Sequence, residues 1–196
     1  SAPVVTTAYP TRVFFGDTHL HTALSMDAGV AGARLLPADA YRFAKGQEVT
    51  GASGQKAKLA RPLDFLVVAD HSDQMGLITD LVAGKPELLA NPTAKRWYDM
   101  MQAGKNTEAT IDLVTTFAQG RFPKEIMYNR GTKGYGDTWK GIIKAAEDAN
   151  EPGKFTAFIG YEWTSLVKGN NLHRNVVFRD NGDKASQVEP FIAGSP

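Results

Sequence analysis

Asp64-Phe65-Leu66-Val67-Val68-Ala69-Asp70-His71 is a near-continuous apolar run that stops on an acid and an imidazole. A strand-length segment that is apolar on both faces is the signature of a buried parallel strand. Its end delivers polar groups to a strand terminus, where ligand sites gather in α/β folds. The pattern recurs along the chain. Val13-Phe14-Phe15 reads as a short strand leading into Gly16-Asp17-Thr18-His19-Leu20-His21. Phe155 to Tyr161 reads as a third buried strand ending on Glu162, and Asn175-Val176-Val177-Phe178 as a fourth that follows His173.

Between these segments, Pro37 opens a helix through Ala44 with an early acid at Asp39. Val49 to Arg61 is polar and glycine-bearing, and reads as a loop. Residues 74–150 repeat apolar positions at helical spacing, as in Leu77, Ile78 and Leu81 or Ile111, Val114 and Phe117. Beyond Asp180 the chain turns polar without an evident closing element. The order strand, helix, strand, helices, strand, strand predicts a single α/β domain over 1–196 with a parallel sheet, part of a barrel. The stretch 74–150 is long for a simple connection and is expected to be an inserted helical cap.

Composition narrows the function. A net charge of +1, with both signs interspersed, gives no pull toward nucleic acid or an acidic membrane surface. No apolar run reaches membrane-spanning length. There is no cysteine, so a metal would be held by nitrogen and oxygen alone. The start, Ser1-Ala2-Pro3, reads as a trimmed end or as a mature end after signal removal. No internal repeat or low-complexity segment interrupts the chain.

All 4 histidines fall beside acids at the ends of apolar runs: His19, His21, His71 and His173. In an extended strand Asp17, His19 and His21 share one face, each ~7 Å from the next. On spacing alone Asp27 reads as a turn or helix cap ahead of the alternative, a loop carboxylate ligand. Adjacent strand residues point oppositely, so of Asp70 and His71 the histidine is the expected ligand. Ser72 and Asp73 read as the N-cap region of the next helix. Glu162, leaving a buried strand, needs a partner, either a metal pair it can bridge or a Lys or Arg. Arg174 is the candidate anion clamp, because a guanidinium fork matches phosphate. Imidazoles and carboxylates without sulfur suit Zn, Mn or Fe(II), and two or three such ions would activate water for ester hydrolysis. No P-loop, dinucleotide fingerprint or Gly-x-Ser-x-Gly competes.

Gly16-Asp17-Thr18-His19-Leu20-His21-Thr22 resembles the first motif of the PHP (polymerase and histidinol phosphatase) superfamily. Ala69-Asp70-His71-Ser72 resembles the second. Gly160-Tyr161-Glu162-Trp163-Thr164 with His173-Arg174-Asn175-Val176-Val177-Phe178 resembles the third, over about residues 12 to 180 in all. The wording is most similar to a bacterial PHP-like family described as a domain of unknown function. The resemblance implies a partial or distorted seven-stranded β/α barrel and a phosphoesterase with a di- or trinuclear centre acting on a small phosphorylated or other anionic ester. It implies His19, His21 and Glu162 on one metal, His71 and Asp27 on a second, and Glu162 and His173 on a third or bridging. Glu162, Asp70 and Arg174 are the expected catalytic groups. Signal peptides in that family imply a periplasmic or secreted protein. A late motif with further Asp or His ligands has no counterpart, which implies a C-terminally truncated fragment. The alternatives are a non-catalytic metal-binding module and an amidohydrolase-type metallohydrolase.

Overall fold

A computed structural model describes residues 12–193. The reading of Ser1-Ala2-Pro3 lies outside them. In chain order the strands are β1 (Gly16–Leu20), β2 (Val49–Thr50), β3 (Lys56–Ala57), β4 (Phe65–Val68), β5 (Thr156–Phe158), β6 (Gly160–Ser165) and β7 (Leu172–Val177). The helices are α1 (Met26–Ala31), α2 (Pro37–Ala44), α3 (Leu77–Val82), α4 (Pro86–Leu89), α5 (Pro92–Gln102), α6 (Asn106–Ala118), α7 (Lys133–Ala149) and α8 (Gly182–Ala185).

The apolar run becomes β4, the centre of a parallel sheet ordered β1-β4-β5. Its backbone is paired on both edges, and Leu66, Val67 and Val68 are fully buried. Leu66 and Val68 join one apolar cluster with Leu77, Ile78, Leu81, Trp97, Leu113 and Trp139 from the mostly helical stretch 74–150. Helices α2 and α7 pack on each other, and each packs on the sheet. Tyr41 of α2 ties that layer down by donating its hydroxyl to Phe158 O at 3.1 Å.

The expected seven-stranded barrel does not form. Among the described residues three strands run parallel, β2 pairs with β3 and β6 with β7 in antiparallel ribbons, and no barrel closes. The reason is chain length between strands. A parallel neighbour needs a crossover of about a dozen residues or more. Only Leu166 to Asn171 separates β6 from β7, so the last apolar run folds straight back.

Three smaller expectations also change. Pairing of β1 with β4 begins at Gly16, where a Cβ would lie 2.4 Å from the Phe65 ring, while Val13, Phe14 and Phe15 stay exposed outside the ladder. The run from Phe155 to Tyr161 is two strands, because Gly160 lets the chain leave β4's sheet; a Cβ there would meet Val67 Cγ1 at 2.5 Å. Val49 to Arg61 contains the β2–β3 hairpin. The polar tail forms α8 and then straps itself down. Ser72 Oγ donates to Phe191 O at 2.5 Å, Trp163 Nε1 to Ile192 O at 3.2 Å, and Ala193 N to Asp73 Oδ1 at 2.9 Å. Among the described residues no helix is long and apolar enough to cross a membrane.

Candidate metal centre

Backbone register brings the four imidazoles and Glu162 together. His71, just past β4, bridges in parallel to Glu162 of β6, with Ser72 N donating to Glu162 O and Glu162 N to Asp70 O, both at 2.9 Å. In the β6–β7 ribbon Thr164 faces His173 and Glu162 faces Asn175. Residues two apart share a face, so Glu162 and His173 lie on the same side. Asn175 then donates to Thr18 O at 2.8 Å and holds β7 against β1.

At the focus is a carboxylate that is 2% exposed, that of Glu162. Its Oε2 lies 3.1 Å from His19 Nε2, 2.9 Å from His21 Nε2 and 3.2 Å from His71 Nδ1. Its Oε1 lies 3.0 Å from His173 Nδ1. Among the described residues no Lys or Arg pairs with it, and its near neighbours are the imidazole nitrogens. Oε2 is sealed from solvent and has no hydrogen-bond partner. Leaving a buried carboxylate oxygen in that state is costly unless a cation compensates it. Two donors on one divalent ion, each about 2.1 Å from it, stand roughly 3.0–3.4 Å apart. The spacing around Oε2 is of this kind, and His19 Nε2 and His21 Nε2 are themselves 3.0 Å apart. The donor set fits a divalent ion.

Three groups place their donor atoms within 4.8 Å of one another: His19, His21 and Glu162; His21, Asp27 and His71; His71, Glu162 and His173. Ser25 orders the first. Its hydroxyl donates to Asp27 Oδ1 at 2.8 Å and accepts from His71 N at 3.0 Å. A hydroxyl has one proton to give. His21 Nδ1, 2.8 Å from Ser25 Oγ, must therefore donate, which leaves the Nε2 lone pair facing Glu162. Asp27 sits 3.8 Å from His21 Nδ1 and 3.5 Å from His71 Nε2. The same contacts hold the Asp27 carboxyl far below the usual carboxylate range, and the Asp27 carboxylate beside it raises the pKa of His21.

A cavity of about 240 Å³ opens on this cluster, with Asp27, His71 and His173 in its wall beside Met26, Phe117 and Leu166. The family described as Protein of unknown function (DUF3604) matches residues 8–195. The chain belongs to that family. No curated protein and no solved structure matches it.

Other residues of this DUF3604 chain singled out in the sequence land elsewhere. Asp70 is buried and turned away from the cluster. Its Oδ1 accepts from Thr22 N at 2.5 Å and its Oδ2 from Thr22 Oγ1 at 2.7 Å, so it fixes the turn after His21. Burial pushes its carboxyl up to about 6 against those two bonds. Asp17 belongs to none of the donor groups. The ladder slips between Asp17 and Leu20, and Asp17 Oδ1 accepts from His19 N at 2.8 Å, which pins the irregularity that aims His19. Arg174 pairs in register with Trp163, on the ribbon face opposite Glu162, with its guanidinium carbon 5.5 Å from the Trp163 ring centroid. Asp73 does not cap a helix, since α3 starts at Leu77 behind Gly76. Ser25 is the residue the sequence reading passed over. It is the N-cap of α1 yet makes no side-chain cap bond there, because its hydroxyl serves the imidazole and Asp27.

Proposed function

We propose that the chain is a metal-dependent hydrolase of phosphoesters, related to the PHP superfamily through the three motifs that carry the donors. The observation that carries this reading is Glu162, whose sealed Oε2 stands among three imidazole nitrogens with no hydrogen bond. A neutral imidazole has one free lone pair, whereas a carboxylate has two oxygens and can serve two ions. That arithmetic favours His19, His21 and Glu162 on one Zn, Mn or Fe(II) ion and His71, His173 and Glu162 on a second, with Asp27 beside His71. Such ions, when bound, supply Lewis acidity and a hydroxide nucleophile at neutral pH. Three protein ligands per ion leave positions for water and substrate, as catalytic sites do and closed structural sites do not.

The remaining parts prepare the donors. Ser25 sets the His21 tautomer, Asp70 locks Thr22 behind it, and Asp17 holds the bulge that presents His19. The 240 Å³ cavity bordered by three donors admits a small ester rather than a polymer segment.

The test is metal analysis by mass spectrometry on untagged protein, paired with p-nitrophenyl phosphate turnover with and without Mn(II). Two ions per chain and metal-dependent turnover are expected. His19→Ala with His21→Ala should remove one ion and lower turnover by about a hundredfold or more. Unchanged stoichiometry in the double variant would sink the site.

A further inference from the structure

A second cavity, about 370 Å³, is lined by residues of β1, α2 and the β2–β3 hairpin together with His21. Its wall is apolar for the most part, with Leu20, Leu35, Phe43 and Val49 among its residues, and it includes His21 and Arg34. Its wall therefore holds both a metal donor and a cation.

Arg34 is a cation without an acid. Its Nη1 donates to Gly29 O at 2.6 Å and to Ala33 O at 2.7 Å, which satisfies carbonyls at the end of α1. Those bonds explain why the side chain is held in place, but they leave its charge unmatched. Among the described residues no carboxylate pairs with it. Asp39, in the same wall, is already engaged by Leu36 N at 3.1 Å and Arg42 Nη1 at 3.0 Å. Burial works against the guanidinium's charge. A half-buried guanidinium with donors to spare, set in an apolar cavity, is the arrangement that recognises the oxygen pair of an anion. The anion clamp that the sequence suggested, Arg174, lies on the ribbon face opposite Glu162; Arg34 shares a cavity with His21.

Resting on the reading of the cluster as a hydrolytic metal centre, we propose that this cavity takes an apolar organic group ending in an anion, and that Arg34 recognises that anion. The substrate class is then a phosphoester whose alcohol portion is apolar in its body and carries a carboxylate or a second phosphoryl group at its far end. Apolar walls remove the body from water, and Arg34 in the same wall as His21 offers the terminal charge its partner.

The experiment is calorimetric binding of three non-hydrolysable probes to the Mn(II)-loaded chain: phenylphosphonate, 4-carboxyphenylphosphonate and benzene-1,4-diphosphonate. The wild type should bind one or both of the doubly anionic probes about tenfold or more tightly than phenylphosphonate. Arg34→Met should erase that preference while its metal content, read by mass spectrometry, stays at the wild-type value. Arg34→Lys keeps a charge without the fork and should retain part of the preference, which guards against a folding defect in the first variant. Whether the carboxylate or the phosphoryl probe binds tighter identifies the terminal group. Equal binding of all three probes by the wild type, or a preference that survives Arg34→Met, overturns the inference alone. Binding of none of them overturns the phosphoester reading of the metal centre, and this inference with it.

Discussion

The two halves of this molecule are held by opposite physics. On the helical side, Trp97, Trp139, Leu113 and Ile142 sit in an apolar cluster where nearly every contact is favourable without a ligand. Trp139 even satisfies its indole N–H on Val188 O at 2.8 Å while packing on Tyr161 and Phe178. At the strand ends, four imidazoles crowd one buried carboxylate whose Oε2 has no hydrogen bond. One region is stable by itself. The other holds a buried carboxylate oxygen without a hydrogen bond, a state that a bound cation would relieve.

That contrast can be broken in three ways, in falling order of effect. Trp139→Ala should cost about 3–5 kcal/mol in urea denaturation, because it opens a large cavity and strips two carbonyls of their donor. The loss should be the same with and without Mn(II). A cost below about 1 kcal/mol would mean that the helical layer is not the source of stability. Glu162→Gln should have the opposite sign. In chelated protein at pH 8 it should raise stability by about 1–3 kcal/mol, since an uncompensated buried charge becomes a neutral amide. With Mn(II) present, that variant should lose the stabilisation that metal gives the wild type. If it is destabilised in the chelated state, the carboxylate already has a protein partner and the strained-site picture is wrong. Arg174→Ala should do least, under about 1 kcal/mol, from a lost contact with the Trp163 ring. Metal content and phosphonate binding should not move; a fall in either would return Arg174 to the site.

The sequence was most legible where the signal was local. The Asp64 to His71 run gave the central strand almost to the residue, Pro37 with Asp39 marked α2, and helical spacing marked α3 to α7. Motif by motif, it also named the six donors that the fold places in overlapping groups. It misjudged what depends on pairing partners. Asp17, His19 and His21 keep a period of two only in a regular ladder, and the irregularity after Asp17 breaks that period. The last apolar run looked like one more parallel strand, yet its short connection makes it the return arm of a ribbon. That reversal is what puts His173 beside Glu162 and Arg174 behind it.

By itself, the sequence determined the chemistry available: nitrogen and oxygen donors and no thiolate. Tertiary structure alone decided which donors meet. Strand order, register and connection length are set by contacts between segments far apart in the chain, and no local periodicity encodes them. The same holds for Ser25 and Arg34. A serine at a helix start and an arginine between two helices are ordinary in sequence, and only a bond to His21 or a cavity shared with it gives either a part in the site.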